Sequence, residues 1–178
     1  MSPLPGVTAS SKVQFFDVAI VHQNTPYITV YPWTGSFGAK VADPATLPES
    51  STNAARNVDF SSDGRFVAVG SGTSPYIFVY PWTGVFGTKV ADPGTLPPGS
   101  SDPTFHPALN AIAFSSTPTP YIGAYAWSSS GFGTKAANPG TLPTSLANTS
   151  ALSTRGDYIA TVNLSLPYIY VYPWTGSF

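Results

Sequence analysis

One phrase recurs four times along the chain and constrains the fold more than any other feature. Its fullest copy runs Pro75-Tyr76-Ile77-Phe78-Val79-Tyr80-Pro81-Trp82-Thr83-Gly84-Val85-Phe86-Gly87-Thr88-Lys89-Val90-Ala91-Asp92-Pro93. The Pro-Tyr anchor stands at Pro26, Pro75, Pro120 and Pro167, spacings of 49, 45 and 47 residues. Such a period, rich in aromatic and β-branched residues, suits a unit of four short antiparallel strands. Helical repeats of similar length need long amphipathic stretches, and 19 Pro and 16 Gly in 178 residues interrupt every candidate. The expected fold class is therefore all-β: a β-propeller of about four four-stranded antiparallel blades. A single domain, residues 1–178, would divide into repeats at approximately 1–47, 48–96, 97–142 and 143–178.

The second repeat reads most plainly. Asn57 to Phe60 is a first strand, and Ser61-Ser62-Asp63-Gly64 a hairpin turn whose Asp-Gly pair tolerates tight backbone geometry. Arg65 to Val69 returns as a second strand, Tyr76 to Trp82 is a third, and Phe86 to Ala91 an outer fourth. In repeat three Phe105-His106-Pro107 replaces Phe60-Ser61-Ser62, and Ala111 to Phe114 is the second strand. Repeat four places a turn at Arg155-Gly156 before the strand Tyr158 to Val162. Repeat one offers Phe16 to Val21 as its second strand, which puts its first near Gly6 to Thr8.

Alternation along the third strand sends Tyr76, Phe78, Tyr80 and Trp82 to one face and Ile77, Val79 and Pro81 to the other. Both faces are apolar, so neighbouring blades should cover the strand on each side. Pro32, Pro81 and Pro173 cannot donate to a ladder and belong at the strand's end. Obvious outer strands number three, at Phe37–Ala42, Phe86–Ala91 and Phe132–Ala137; the fourth copy reaches Phe178 where its own would begin. Leu4-Pro5 matches Leu47-Pro48, Leu96-Pro97 and Leu142-Pro143. A longer array, a three-stranded last blade, or two or more chains sharing one ring would each account for this. Self-association is the expectation, because an unclosed array exposes apolar blade faces.

Only 8 % of residues are charged, and the formal net charge is −1, with Lys and Arg scattered. No electrostatic footprint for nucleic acid or an anionic membrane is present. Cysteine is absent, which excludes disulfides and thiolate metal sites. The first residues lack a basic and apolar leader, and nowhere do 18 apolar residues follow one another. The expected setting is cytoplasmic or virion-associated, without membrane insertion.

Val58-Asp59-Phe60-Ser61-Ser62-Asp63-Gly64-Arg65-Phe66-Val67-Ala68-Val69, followed by Ser74-Pro75-Tyr76-Ile77-Phe78-Val79-Tyr80-Pro81-Trp82, resembles the WD40-like and YVTN-like β-propeller repeats. Nearer still is a repeat type with Gly131-Phe132-Gly133-Thr134-Lys135 and Asn138-Pro139-Gly140-Thr141-Leu142-Pro143, seen in bacterial and bacteriophage-associated proteins. The resemblance covers nearly the whole chain and implies the propeller fold. It implies a scaffold or virion-type role only loosely, since propellers host many functions. The Gly-His pair and the Asp after Trp of full WD40 repeats are missing, which argues against an adaptor of the eukaryotic kind.

Candidate chemistry is sparse. His22 and His106, the two histidines, occupy different places in the repeat and lack companion ligands, so no metal or cofactor is expected. No Gly-x-Ser-x-Gly elbow or paired carboxylate names a catalytic residue. Asp43, Asp92 and Asn138 precede Pro at equivalent positions and read as turn caps. Lys40, Lys89 and Lys135 recur after Phe-Gly-x, either as a ring for an anionic partner or as guards against edge-to-edge pairing. Trp33, Trp82, Trp127 and Trp174, with Tyr31, Tyr80, Tyr125 and Tyr172, suit either a sugar-stacking site per blade or the seam between blades. Arg155-Gly156-Asp157 spells an integrin-type tripeptide in a hairpin turn. These residues point first to a non-catalytic structural or interaction protein, partnered by another copy of itself or another propeller or virion subunit. A lectin with one aromatic site per blade comes second, and a hydrolase with a symmetry-breaking site third.

Overall fold

The computed structural model describes residues 16–48, 56–108 and 110–178. Among these residues there is no helix, and twelve strands form four antiparallel sheets met in chain order. The first sheet pairs β1 (Phe16–Val21) with β2 (Ile28–Trp33). The second joins β3 (Val58–Phe60), β4 (Phe66–Gly70) and β5 (Ile77–Pro81). The third carries four strands: β6 (Ser101–Phe105), β7 (Ala111–Ser116), β8 (Ile122–Ser128) and β9 (Gly131–Lys135). The fourth is β10 (Ala147–Leu152), β11 (Tyr158–Asn163) and β12 (Ile169–Pro173). Sequence neighbours pair throughout, so each repeat is one meander. The strand expected near Gly6 to Thr8 and the Leu4-Pro5 match lie outside the described residues.

The second and third strands join through the same turn in every repeat. The Tyr27, Tyr76, Tyr121 and Tyr168 amides donate to the carbonyl three residues back, at 2.7–2.9 Å. Each tyrosine adopts a positive φ, between 63° and 72°, after a cis proline. This common turn sets one register: Phe66 faces Pro81 and Val67 faces Tyr80, as Asp17 faces Pro32 and Val18 faces Tyr31.

The four-stranded expectation needs correcting. Among the described residues only the third repeat has a regular outer strand; the first and second keep single bridges, Trp33 to Phe37 and Trp82 to Phe86. Proline supplies the reason. The Pro32 and Pro81 carbonyls accept from the Gly38 and Gly87 amides at 2.8 Å, but proline returns no N–H to the outer segment. In the third repeat Ala126 occupies that place, and there β9 forms.

Packing between sheets follows the alternation of the third strand. Ile77 and Val79 lie in a core with Phe105, Ile112, Phe114, Tyr125 and Trp127 of the third sheet. Phe78, Tyr80 and Trp82, on the opposite face, join Ile28 and Val30 of the first. Ala111, Ala113, Ile122 and Ala124 meet Ile159 and Trp174 of the fourth. Each sheet therefore has a forward face, which receives the next repeat, and a rear face, which enters the one before. Complete burial of each such Ile or Val stabilises by about 1.5–3 kcal/mol.

A polar link crosses two of these seams. The Tyr80 hydroxyl donates to the Thr46 carbonyl at 2.8 Å, and Tyr125 to Thr95 at 2.7 Å. Both acceptors lie in the Pro-x-Thr-Leu-Pro segment of the preceding repeat. The Tyr172 hydroxyl is buried without a partner among the described residues. Tyr125→Phe should thus cost about 1 kcal/mol through the lost hydrogen bond, while Tyr172→Phe should be close to neutral. Urea unfolding of the two variants beside the wild type checks the contrast.

Candidate functional site

Tryptophan sits at the base of every seam. A phenylalanine four or five residues later meets each indole edge-on: Phe37 on Trp33, Phe86 on Trp82, Phe132 on Trp127 and Phe178 on Trp174, at 4.9–5.1 Å. The same phenylalanines touch Tyr31, Tyr80, Tyr125 and Tyr172 at 5.4–5.8 Å. Trp82, Trp127 and Trp174 are buried, leaving no ring face free for a sugar, and Trp33 is half-buried.

What lies opposite each indole differs. Asp17, Phe66 and Ala111 occupy one equivalent place, each paired in register with the residue before a tryptophan. Asp17 Oδ2 accepts from Trp82 Nε1 at 2.9 Å across the first seam. Phe66 stands edge-on to Trp127 at 5.3 Å across the second. At the third seam Ala111 is too small to cover the indole. A cleft of about 260 Å³ results, lined by His106, Asn110, Arg155, Asp157, Trp174 and neighbours. A second cleft, of about 280 Å³, lies beside Phe16, Asp17, Phe60 and Trp82.

Residues of the third-seam cleft are held by hairpin turns. His106 is buried; its Nδ1 accepts from the Ala108 amide at 3.0 Å, so its Nε2 carries the proton offered to the Gly156 carbonyl at 3.0 Å. Gly156 has φ +78°, and a Cβ there would stand 2.0 Å from His106 Nε2, so no side chain fits. The Arg155-Gly156-Asp157 tripeptide is this turn. Ser153 Oγ donates to Asp157 Oδ1 at 2.6 Å and fixes one carboxylate oxygen. His22, by contrast, bonds Thr29 Oγ1 at 2.8 Å in the first sheet, remote from His106 in the repeat. Among the described residues no three His, Asp or Glu converge as metal ligands.

The recurrent lysines find partners three residues on in their own repeats. Lys40 pairs with Asp43, Lys89 with Asp92, and Lys135 donates to Asn138 Oδ1 at 2.8 Å. The acidic or amide residue before each proline thus anchors a lysine. Lys89 Nζ also lies 5.4 Å above the Phe78 ring.

A polar spine, half-buried at Asn57 and Asp59 and buried at Asp102, runs along the first strands and was missed by sequence reasoning. Asp59 Oδ2 accepts from the Phe105 amide at 2.7 Å, and Asn57 donates to the Pro103 carbonyl at 3.0 Å. Burial raises the Asp59 carboxyl above its ordinary value, against the pull of that amide. Burial also pushes Asp102, in β6, up to about 6, although Arg56, with Nε 3.5 Å away, and Ser115 pull it back. Between the ordinary carboxylate value and about 6 the folded chain holds a proton that the unfolded chain has released. Stability from this group therefore falls as pH rises through that window and is level above it. The loss amounts to about 3 kcal/mol between about pH 4 and pH 7, and Asp102→Asn should flatten it. Urea midpoints of wild type and variant across that range provide the measurement.

No protein-family profile and no curated protein matches the chain by sequence. Solved structures do match in shape. A provisionally named 6-phosphogluconolactonase from Bacteroides uniformis superposes with a TM-score of 0.65 at 15 % identity, over 90 % of this chain and 51 % of that one. A chain of the mitotic checkpoint complex does so with a TM-score of 0.54 at 18 % identity, over 82 % of this chain and 43 % of that one. The chain spans about half the length of these structures. The likeness supports a propeller-like, all-β fold. It also corrects the expectation of a protein without catalysis: a lactonase name is carried by a structure of this shape, so the fold gives no ground for that exclusion.

Proposed function

We propose that the chain is an interaction scaffold, four blades of a propeller whose last forward face docks a partner within a larger assembly. One observation carries this reading. Ile169 and Val171 are 59 % and 58 % exposed, whereas their equivalents Ile77 and Val79 in the second sheet are 0 % and 1 % exposed. Contiguous apolar surface of this kind marks a contact site in a folded protein. The resemblance of the repeats to those of bacteriophage-associated and bacterial proteins favours a virion or cell-surface assembly as its setting. A photo-crosslinking residue at Val171 should yield covalent protein adducts under native conditions, and one at the exposed Gly140 should not. Mass spectrometry of the adducts distinguishes them, and equal labelling from both positions counts against the scaffold reading.

A second reading, sugar binding, is favoured by the third-seam cleft. Asn110, Arg155 and Asp157 offer planar donors and acceptors that suit vicinal hydroxyls, beside the edge of Trp174. It involves one cleft rather than a site per blade. On a glycan array, Asn110→Ala with Asp157→Ala should abolish any signal given by the wild type, while Trp33→Ala should keep it.

A further inference from the structure

We infer that the partner of the exposed forward face of the fourth sheet is the rear face of the first sheet of a second copy of this chain. This rests on the scaffold reading and names its partner. The internal seams supply the pattern. In each, the forward Ile-x-Val/Ala strand of one repeat receives a rear face built on the Tyr-x-Trp strand of the next. At the first seam Ile28 and Val30 receive Val67, Val69, Tyr80 and Trp82 in one core.

The two outermost faces of the chain keep both halves of that pattern. The forward half is Ile169 and Val171 on β12, equivalent to Ile28 and Val30 by their shared register with the preceding strand. The rear half is Val18 and Ile20 on β1 with Tyr31 and Trp33 on β2, equivalent to Val67, Val69, Tyr80 and Trp82. Ile20 is 46 % exposed where Val69 is 0 % exposed, and Val18, Tyr31 and Trp33 are half-buried, so the rear half is covered only in part. Among the described residues no buried core joins Ile169 or Val171 to the rear half. Tyr158 would then stand opposite Trp33, as Phe66 stands opposite Trp127.

Length sets the number of copies expected. The chain superposes on 51 % and 43 % of two propeller-like chains, so two copies match the length of one such chain. A head-to-tail contact that closes after two copies gives a ring with a two-fold axis and two identical seams. Four sheets from each copy make eight, within the usual range of roughly 4–8 blades.

Complementation between variants tests the pairing. Wild type at micromolar concentration should show twice the chain mass by light scattering. Val171→Glu and Ile20→Lys should each be monomeric, because both seams of a variant ring would bury an unpaired charge. Mixing the two variants should restore a dimer: one seam is then wild type on both sides, and the other places Glu against Lys. Circular dichroism of each variant alone shows whether it remains folded, and Val171→Thr with Ile20→Thr replaces any variant that does not; that pair should only weaken the dimer. A monomeric wild type, dimeric charge variants, or a folded pair that fails to complement would overturn the inference. Adducts at Val171 with an unlike protein, from a monomeric wild type, would overturn the second-copy pairing while leaving the scaffold reading in place.

Discussion

The edge-on contact between a tryptophan and the phenylalanine that follows it is the interaction on which the other features depend. It recurs in all four repeats at nearly constant separation. Tryptophan closes the third strand, and phenylalanine opens the outer segment; the Thr-Gly or Ser-Ser-Ser turn between them brings the rings together. Because the same phenylalanine also touches the tyrosine two residues before the tryptophan, it fixes which face of the third strand carries the aromatics. The opposite face is then left to Ile and Val. Each sheet acquires two unlike apolar faces, and unlike faces stack in one direction only. A directional stack is what turns four meanders into one array.

Dispersion and burial hold the seams, and polar groups set their register. A tyrosine hydroxyl reaching a particular threonine carbonyl of the preceding repeat cannot shift by a residue without losing that bond. The bonds from the Asp59 and Asn57 side chains to the backbone of β6 act likewise on the first strands. Charge is used sparingly, and Arg56 to Asp102 is the ion pair that crosses between repeats among the described residues. Lysines neutralise acids three residues away on their own loops, and they do not tie sheets together.

Much of this was legible in the sequence, for a definite reason. Strand positions follow from alternation and turn residues, which are local, so β1 and the cores of β4, β5 and β11 fall where the residues place them. The outer strand of the third repeat forms as its residues indicate, whereas those of the first two give way because Pro32 and Pro81 offer no N–H to the segment beside them. The polar spine was illegible because Asp59 and Asp102 look like ordinary turn and strand polars. Their burial arises only when the first strands of adjacent repeats pack side by side. The third-seam cleft needed a comparison of residues that do not look alike, Asp17, Phe66 and Ala111.

That variable place shows how an array of nearly identical repeats can acquire distinct sites without losing its fold. The indole, the phenylalanine and the tyrosine are constrained by three neighbours at once, so substitution there disturbs both the strand and the seam. The residue opposite the indole is constrained by one neighbour only. An aspartate there satisfies the indole N–H, a phenylalanine fills the space, and an alanine leaves a cleft lined by whatever the adjoining hairpin turns supply. In the fourth sheet the equivalent residue, Tyr158, is half exposed and has no ring contact with an indole among the described residues. Its ring is large enough to act as Phe66 does, and Trp33, half-buried at the other extreme of the array, is an indole that such a ring would cover.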